Sequence, residues 1–215
     1  MTTDAHDVFA QIRAHRLVPV IAIDAVDDAL PLADALTQGG LPLAEITFRT
    51  AAAAEVIALL TAQRPELLVG AGTVLNSASL DQAVSAGAAF GVAPGTNPDV
   101  VRAARERGLP FIPGVATPSD IEAALAQGAS VLKFFPAEAS GGAAMLRAMI
   151  GPYAHTGVKF MPTGGVTLDN LEAYLALDCV AAIGGTWLAT KDDIAEKRWG
   201  RIAEKCREAR QRAGL

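Results

Sequence analysis

Short apolar runs alternate with longer alanine-rich stretches from one end of the chain to the other. The runs Val18–Ile23, Leu43–Phe48, Leu67–Gly72, Ala89–Ala93, Pro110–Pro113, Val131–Phe135, Val158–Met161 and Val180–Ile183 are short and bounded by turn residues, which predicts buried strands. Helical patterns begin near Asp27, Thr50, Ser77, Asn97, Thr117, Gly142, Thr167 and Asp193. Asn76-Ser77, Asn97-Pro98, Thr117-Pro118 and Thr167 supply N-cap chemistry, and Gly39-Gly40, Gly87, Gly108 and Gly128 supply helix ends. Eight strands, each followed by a helix, predict a (β/α)8 TIM barrel occupying residues 1–215 as a single domain. The segment Asp4–Arg16, with Val8, Phe9 and Ile12 at helical spacing, predicts an additional N-terminal helix. An open doubly wound sheet would announce itself by a glycine-rich turn after the first strand, and Ile23-Asp24-Ala25-Val26-Asp27 contains no glycine.

Alternation along two strands separates faces of different chemistry. In Val131–Phe135, Leu132 and Phe134 suit the outer helices, leaving Lys133 to point into the barrel. In Leu43–Phe48, Ala44, Ile46 and Phe48 form the apolar face, so Glu45 and Thr47, followed by Arg49, share the inward one. Burial disfavours the charged form of an amine, and a neutral amine attacks carbonyl carbon, which makes Lys133 a Schiff-base candidate. The competing readings are a lysine reaching solvent from a strand end, or a structural ion network of Glu45, Lys133 and Arg49.

Composition narrows the class. A formal net charge of −5 lacks the basic excess of a nucleic-acid surface, and the basic residues after Arg198 are mixed with Glu204 and Glu208. Apolar content is high at 51%, yet much of it is alanine, and no run approaches membrane-spanning length. The start, Met1 to Asp7, lacks the pattern of a signal peptide, and two cysteines, Cys179 and Cys206, support no disulfide framework; both point to a reducing cytoplasm. His6, His15 and His155 are scattered, with no ligand spacing for a metal; His15 and His155 read as surface residues and Cys179 as a buried small hydrophobe.

The strand ends carry further candidates. Gly70-Ala71-Gly72 permits close backbone approach beside Thr73, and Pro94-Gly95 and Pro113-Gly114 shape the rim. Pro162-Thr163-Gly164-Gly165 and Ile183-Gly184-Gly185-Thr186 follow the seventh and eighth strands, where many barrels hold phosphate on backbone amides. Each pair also serves as an ordinary turn, and Thr163 and Thr186 as loop caps.

The motifs Val18-Pro19-Val20-Ile21, Glu45-Ile46-Thr47-Phe48-Arg49-Thr50, Val69-Gly70-Ala71-Gly72-Thr73-Val74-Leu75 and Lys133-Phe134-Phe135-Pro136-Ala137-Glu138 continue through Pro162-Thr163-Gly164-Gly165-Val166 and Gly184-Gly185-Thr186-Trp187-Leu188. Together, in order and across nearly the whole chain, they resemble the 2-keto-3-deoxy-6-phosphogluconate aldolase and 4-hydroxy-2-oxoglutarate aldolase family. The resemblance implies a metal-free class I aldolase without cofactor, a homotrimer, acting on a small phosphorylated 2-keto acid. It implies Lys133 as the Schiff-base lysine and Glu45 as general acid/base. Arg49 and Thr73 would receive the pyruvate carboxylate, with Pro94 and Phe135 lining the pocket. Thr163 would lie near the sugar hydroxyls, and Gly164, Gly165, Gly184, Gly185 and Thr186 near the phosphate. Phe48 stands where the family commonly has leucine and Thr186 where serine is familiar; the Thr186 departure leaves fine substrate preference open, the 6-phosphogalactonate epimer included. Two other classes stay open: a noncovalent phosphate-binding isomerase or synthase, and a barrel that binds sugar phosphates without catalysis.

Overall fold

The computed structural model describes residues 5–215, with side chains from residue 8 onward; Asp4, at the head of the expected N-terminal helix, and the His6 side chain lie outside the described residues. Helix α1 (Ala5–His15) leads into the parallel strands β1 (Leu17–Ile21), β2 (Leu43–Thr47), β3 (Leu68–Gly72), β4 (Phe90–Val92), β5 (Phe111–Ile112), β6 (Gly114–Val115), β7 (Val131–Phe134), β8 (Lys159–Phe160) and β9 (Ile183–Gly185). Hydrogen-bonded neighbours run β5-β4-β3-β2-β1-β9 in one sheet and β6-β7-β8 in the other. Only Pro113 separates β5 from β6, so the fifth barrel strand is one extended segment split at a residue without an amide proton. The opposite seam is joined by bridges Phe160↔Val180 and Thr163↔Gly184. The ring therefore closes, with each of the eight predicted strand regions contributing one stave.

The helices between are α2 (Ala29–Gln38), α3 (Ala53–Gln63), α4 (Ser77–Ser85), α5 (Pro98–Glu106), α6 (Pro118–Ala126), α7 (Gly142–Ile150), α8 (Leu171–Leu175), α9 (Lys191–Ala195) and α10 (Trp199–Arg212). Three of the expected caps form: Asn76 accepts from the Ser79 amide, Asn97 from Asp99 and Thr117 from Asp120. Thr167 does not cap a helix; α8 starts four residues later, and the Thr167 amide instead donates to Asn170 Oδ1 at 2.8 Å. The last strand also differs from expectation. Gly184 and Gly185 belong to β9, paired with Val18 and Pro19, while Val180 makes only the isolated bridge to Phe160. Glycines carry no side-chain pattern, so a strand made of them has no alternation to read.

The core lies between staves and helices. Ala44, Ile46, Leu132 and Phe134 are fully buried on the helix-facing side, each larger side chain contributing about 1.5–3 kcal/mol of burial. Helix α10 packs against α2, with Cys206 over the backbone of Gly39, and it buries Ile202, Ala203, Cys206 and Ala209 behind a solvated charged face. Among the described residues, no helix is long and apolar enough to cross a membrane.

Candidate active site

Strands β2 and β7 are the second and sixth staves of eight, diametrically opposed. Lys133 Nζ on β7 nevertheless lies 3.2 Å from Glu45 Oε1 on β2, so both side chains point into the barrel and meet across it. Their side chains are 7% and 0% exposed, placing a charged pair where a barrel otherwise keeps apolar layers. The pair does not satisfy itself: Glu45 Oε2 is buried with no hydrogen-bond partner, an acceptor left over inside the barrel. Lys133 Nζ also stands 5.5 Å from the centre of the Phe135 ring.

The space for Glu45 comes from β3. A Cβ at Gly72 would fall well inside contact distance of the Glu45 carboxylate. Thr47, 2% exposed on the same face of β2, donates to the Ile21 carbonyl at 2.8 Å and accepts from Arg49 Nε at 3.1 Å. Arg49 is thus braced through Thr47 onto β1 while its guanidinium remains exposed. Arg49 and Thr186 line one cavity of about 270 Å³ at the C-terminal mouth.

Thr73 and Pro94 stand on neighbouring cavities. Thr73 lines one of about 520 Å³ with Phe48, Ser79 and Gln82; Pro94 lines another of about 260 Å³ with Val74, Val100 and Phe111. Thr73 has φ of +59°, a left-handed backbone that a β-branched residue adopts only under constraint. Gly164 and Gly165 turn with φ of +95° and +79°, beside the Phe135 ring and the Glu138 side chain respectively. Thr163 is 1% exposed, its hydroxyl donating to the Met161 carbonyl at 3.3 Å, and it bridges to Gly184. A Cβ at Gly184 would collide with the Thr163 hydroxyl, and one at Gly185 with the Trp187 indole.

A family model for KDPG and KHG aldolases matches residues 8–205. The chain belongs to that aldolase family. A 2-dehydro-3-deoxy-phosphogluconate aldolase of Haemophilus influenzae is 47% identical, over 97% of this chain and 97% of that protein. A crystal structure of a KDPG aldolase from Legionella pneumophila, with pyruvate captured as a covalent carbinolamine, aligns with a TM-score of 0.89 at 40% identity over 96% of this chain and 98% of that one. The 2-keto-3-deoxy-6-phosphogluconate aldolase of Zymomonas mobilis with 3-phosphoglycerate aligns with a TM-score of 0.86 at 38% identity, covering 95% of each chain.

Around the Lys133–Glu45 pair and its neighbouring cavities the fold brings in groups that sequence reasoning passed over. Tyr174, fully buried on α8, donates to Glu138 Oε1, and Glu138 packs beneath the Gly164-Gly165 turn, its amide donating to the Gly164 carbonyl at 3.0 Å. Burial and then the Glu138 carboxylate push the Tyr174 phenol far up, so it stays a donor to that carboxylate. Glu138 lies in a recognised motif, but nothing in the spacing links it to Tyr174, 36 residues on. Trp187 has a buried indole N–H without a partner. Asp193, 1% exposed, gathers Thr190, Arg198 and Lys205 behind the β9 loop.

Two other expectations are corrected. Cys179 is half-buried rather than buried, because it lines a cavity of about 380 Å³ with Arg147, Lys159 and Asp178 on the far side from the mouth. His15 is half-buried at the end of α1, and burial, then the charge of Arg210, lowers its pKa. His155 is exposed, and burial pushes the Cys206 thiol up to about 12. Among the described residues no three His, Cys, Asp or Glu side chains converge as a metal site.

Proposed function

We propose that this family member is a class I aldolase that reversibly cleaves 2-dehydro-3-deoxy-6-phosphogluconate to pyruvate and glyceraldehyde 3-phosphate, and that 4-hydroxy-2-oxoglutarate is a second substrate. The observation that carries the reading is the Lys133–Glu45 contact inside the barrel, with one carboxylate oxygen left without a partner. A lysine nitrogen beside a carboxylate can hand over its proton and attack a ketone.

In the proposed sequence Lys133 Nζ adds to the C2 carbonyl carbon, and the carbinolamine loses water to give an iminium ion. Glu45, directly or through a water molecule, takes the C4 hydroxyl proton. The C3–C4 bond breaks, its electron pair passes into the iminium, and the aldehyde leaves behind a pyruvate enamine. Protonation at C3 and hydrolysis of the imine release pyruvate and restore the amine. One carboxylate at hydrogen-bond reach of the reacting oxygen can serve both directions of proton transfer. Arg49, braced by Thr47, is assigned the substrate carboxylate, which a planar guanidinium meets with two parallel hydrogen bonds; Thr73 is its assigned partner. Pro94 and Phe135 are assigned to the pocket wall and Thr163 to the sugar hydroxyls. Gly164, Gly165, Gly184 and Gly185, with the Thr186 hydroxyl, are assigned to the neighbourhood of the phosphate. From the family resemblance we infer a homotrimer, and from the cysteine content a cytoplasmic enzyme.

Borohydride reduction in the presence of pyruvate, followed by peptide mass analysis, tests the mechanism. The expected result is a pyruvate-derived adduct on Lys133 that is absent without pyruvate and absent from Lys133→Ala. An active protein that yields no adduct, or an adduct that survives in Lys133→Ala, overturns it.

A further inference from the structure

The cavity that holds Arg49 and Thr186 has a third polar wall that the proposed mechanism leaves unused. Its lining is Val20, Ala22, Arg49, Thr186, Ala189, Thr190 and Lys191, a volume of about 270 Å³ between the loops that leave β1, β2 and β9. Four of those residues come from one stretch, Thr186 to Lys191. The Thr190 hydroxyl is already committed, donating to Asp193 Oδ2 at 2.7 Å. Lys191 is held differently. Its ammonium lies 2.8 Å from Asp24 Oδ2, with side chains 59% and 67% exposed, so the pair ties the β9 loop to the β1 loop across the rim.

An exposed ion pair of this kind is weak and readily exchanged. A phosphate group arriving at Thr186 would offer Lys191 a doubly charged partner in place of a singly charged one. An ammonium meets phosphate as a compact point charge, while the guanidinium of Arg49, whose planar fork fits either anion, is already assigned to the carboxylate. Asp24, 67% exposed, is left to solvent when Lys191 turns away, where its charge is screened.

We propose that Lys191 is a phosphate-recruiting residue of this aldolase and that Asp24 holds it in reserve: the ammonium leaves Asp24 when the substrate's phosphate reaches the Thr186 side of the cavity. The proposal rests on the aldolase reading and adds a specificity determinant to it. Phosphorylated substrates gain from Lys191, and unphosphorylated ones do not.

The test is condensation of pyruvate with D-glyceraldehyde 3-phosphate and, separately, with unphosphorylated D-glyceraldehyde. Lys191→Met is expected to raise KM for the phosphorylated aldehyde by about threefold to tenfold, the range of a charge-assisted contact at a wet rim. Its KM for pyruvate and for glyceraldehyde should stay unchanged. Asp24→Asn is expected to move KM for the phosphorylated aldehyde the other way, and in Asp24→Asn/Lys191→Met most of that gain should vanish. Raising the salt concentration should narrow the gap between wild type and Lys191→Met. An unchanged KM for the phosphorylated aldehyde in Lys191→Met overturns the inference. So does an equal rise for glyceraldehyde or pyruvate, which would make Lys191 structural or a carboxylate ligand, and so does an Asp24→Asn gain that persists without Lys191. In each of those cases the borohydride adduct on Lys133 would still form. A wild-type protein that neither condenses the pair nor gives the adduct removes the aldolase reading, and this inference with it.

Discussion

The role proposed for Glu45 depends on a residue with no side chain. Gly72 leaves the volume that the Glu45 carboxylate occupies, and its backbone is not left-handed, so alanine is conformationally acceptable there. The added methyl would act on Glu45 and not on the strand. Gly72→Ala is therefore expected to lower kcat by about 100-fold, the effect of a displacement near 1 Å at a reacting group. Overpacking should cost about 1–3 kcal/mol of stability, read as a modest fall in the thermal midpoint. Full kcat in a folded Gly72→Ala protein would show that Glu45 does not need this position. Thr73, the next residue, carries the opposite signal: a β-branched side chain held at φ +59°, where glycine would be relaxed. Lys133 and Glu45 were legible because strand parity put each opposite apolar neighbours. Gly72 offered only permissiveness, and what it makes room for comes from another strand.

At the scale of elements, the turn between α9 and α10 is held by one buried carboxylate. Burial alone would raise the pKa of Asp193, but hydrogen bonds from Lys205, Thr190 and Arg198 outweigh it and hold the carboxyl well below the usual range. A lowered folded-state pKa means that the charged form stabilises the fold. Its contribution is complete above the ordinary carboxylate pKa of about 4 and is lost as pH falls toward the folded value. Asp193→Asn is expected to cost on the order of 2 kcal/mol at neutral pH. Denaturant titrations should show the gap from wild type closing in acid, because protonation removes the same interaction from wild type. A gap that stays constant from neutral to acid pH would exclude the carboxylate as its source. This clamp was not legible from composition: Arg201 and Lys205 stand among basic residues mixed with Glu204 and Glu208, and together with Arg198 they converge on one acid. Helix starts at Asn76, Asn97 and Thr117 were legible because caps are local chemistry, whereas α8 and β9 moved from their expected positions because no local pattern marks them.

For the whole molecule, closure depends on an uneven seam. Strands β2 and β3 pair over five residues, while the β8–β9 junction is joined by two bridges, one of them between Thr163 and Gly184. That thin junction is where the proposed phosphate groups converge, and the Glu138–Tyr174 contact supports it from outside. The inferred homotrimer has a direct check. Light scattering in solution should return a mass near three times the 22.2 kDa of one chain, and a monomer mass at micromolar concentration would refute it.

The order of strands and helices, the inward face of β2 and β7 and the family motifs were determined by the sequence alone, because alternation, capping and motif order are properties of neighbouring residues. Tertiary structure decided the rest: that staves two and six bring Glu45 and Lys133 to 3.2 Å, that Gly72 clears the space for the Glu45 carboxylate, and that Asp24 meets Lys191 across the rim. The Glu45–Lys133 and Asp24–Lys191 contacts join residues 88 and more positions apart, and only closure of the ring, driven by burying both faces of a parallel sheet, gives them a distance.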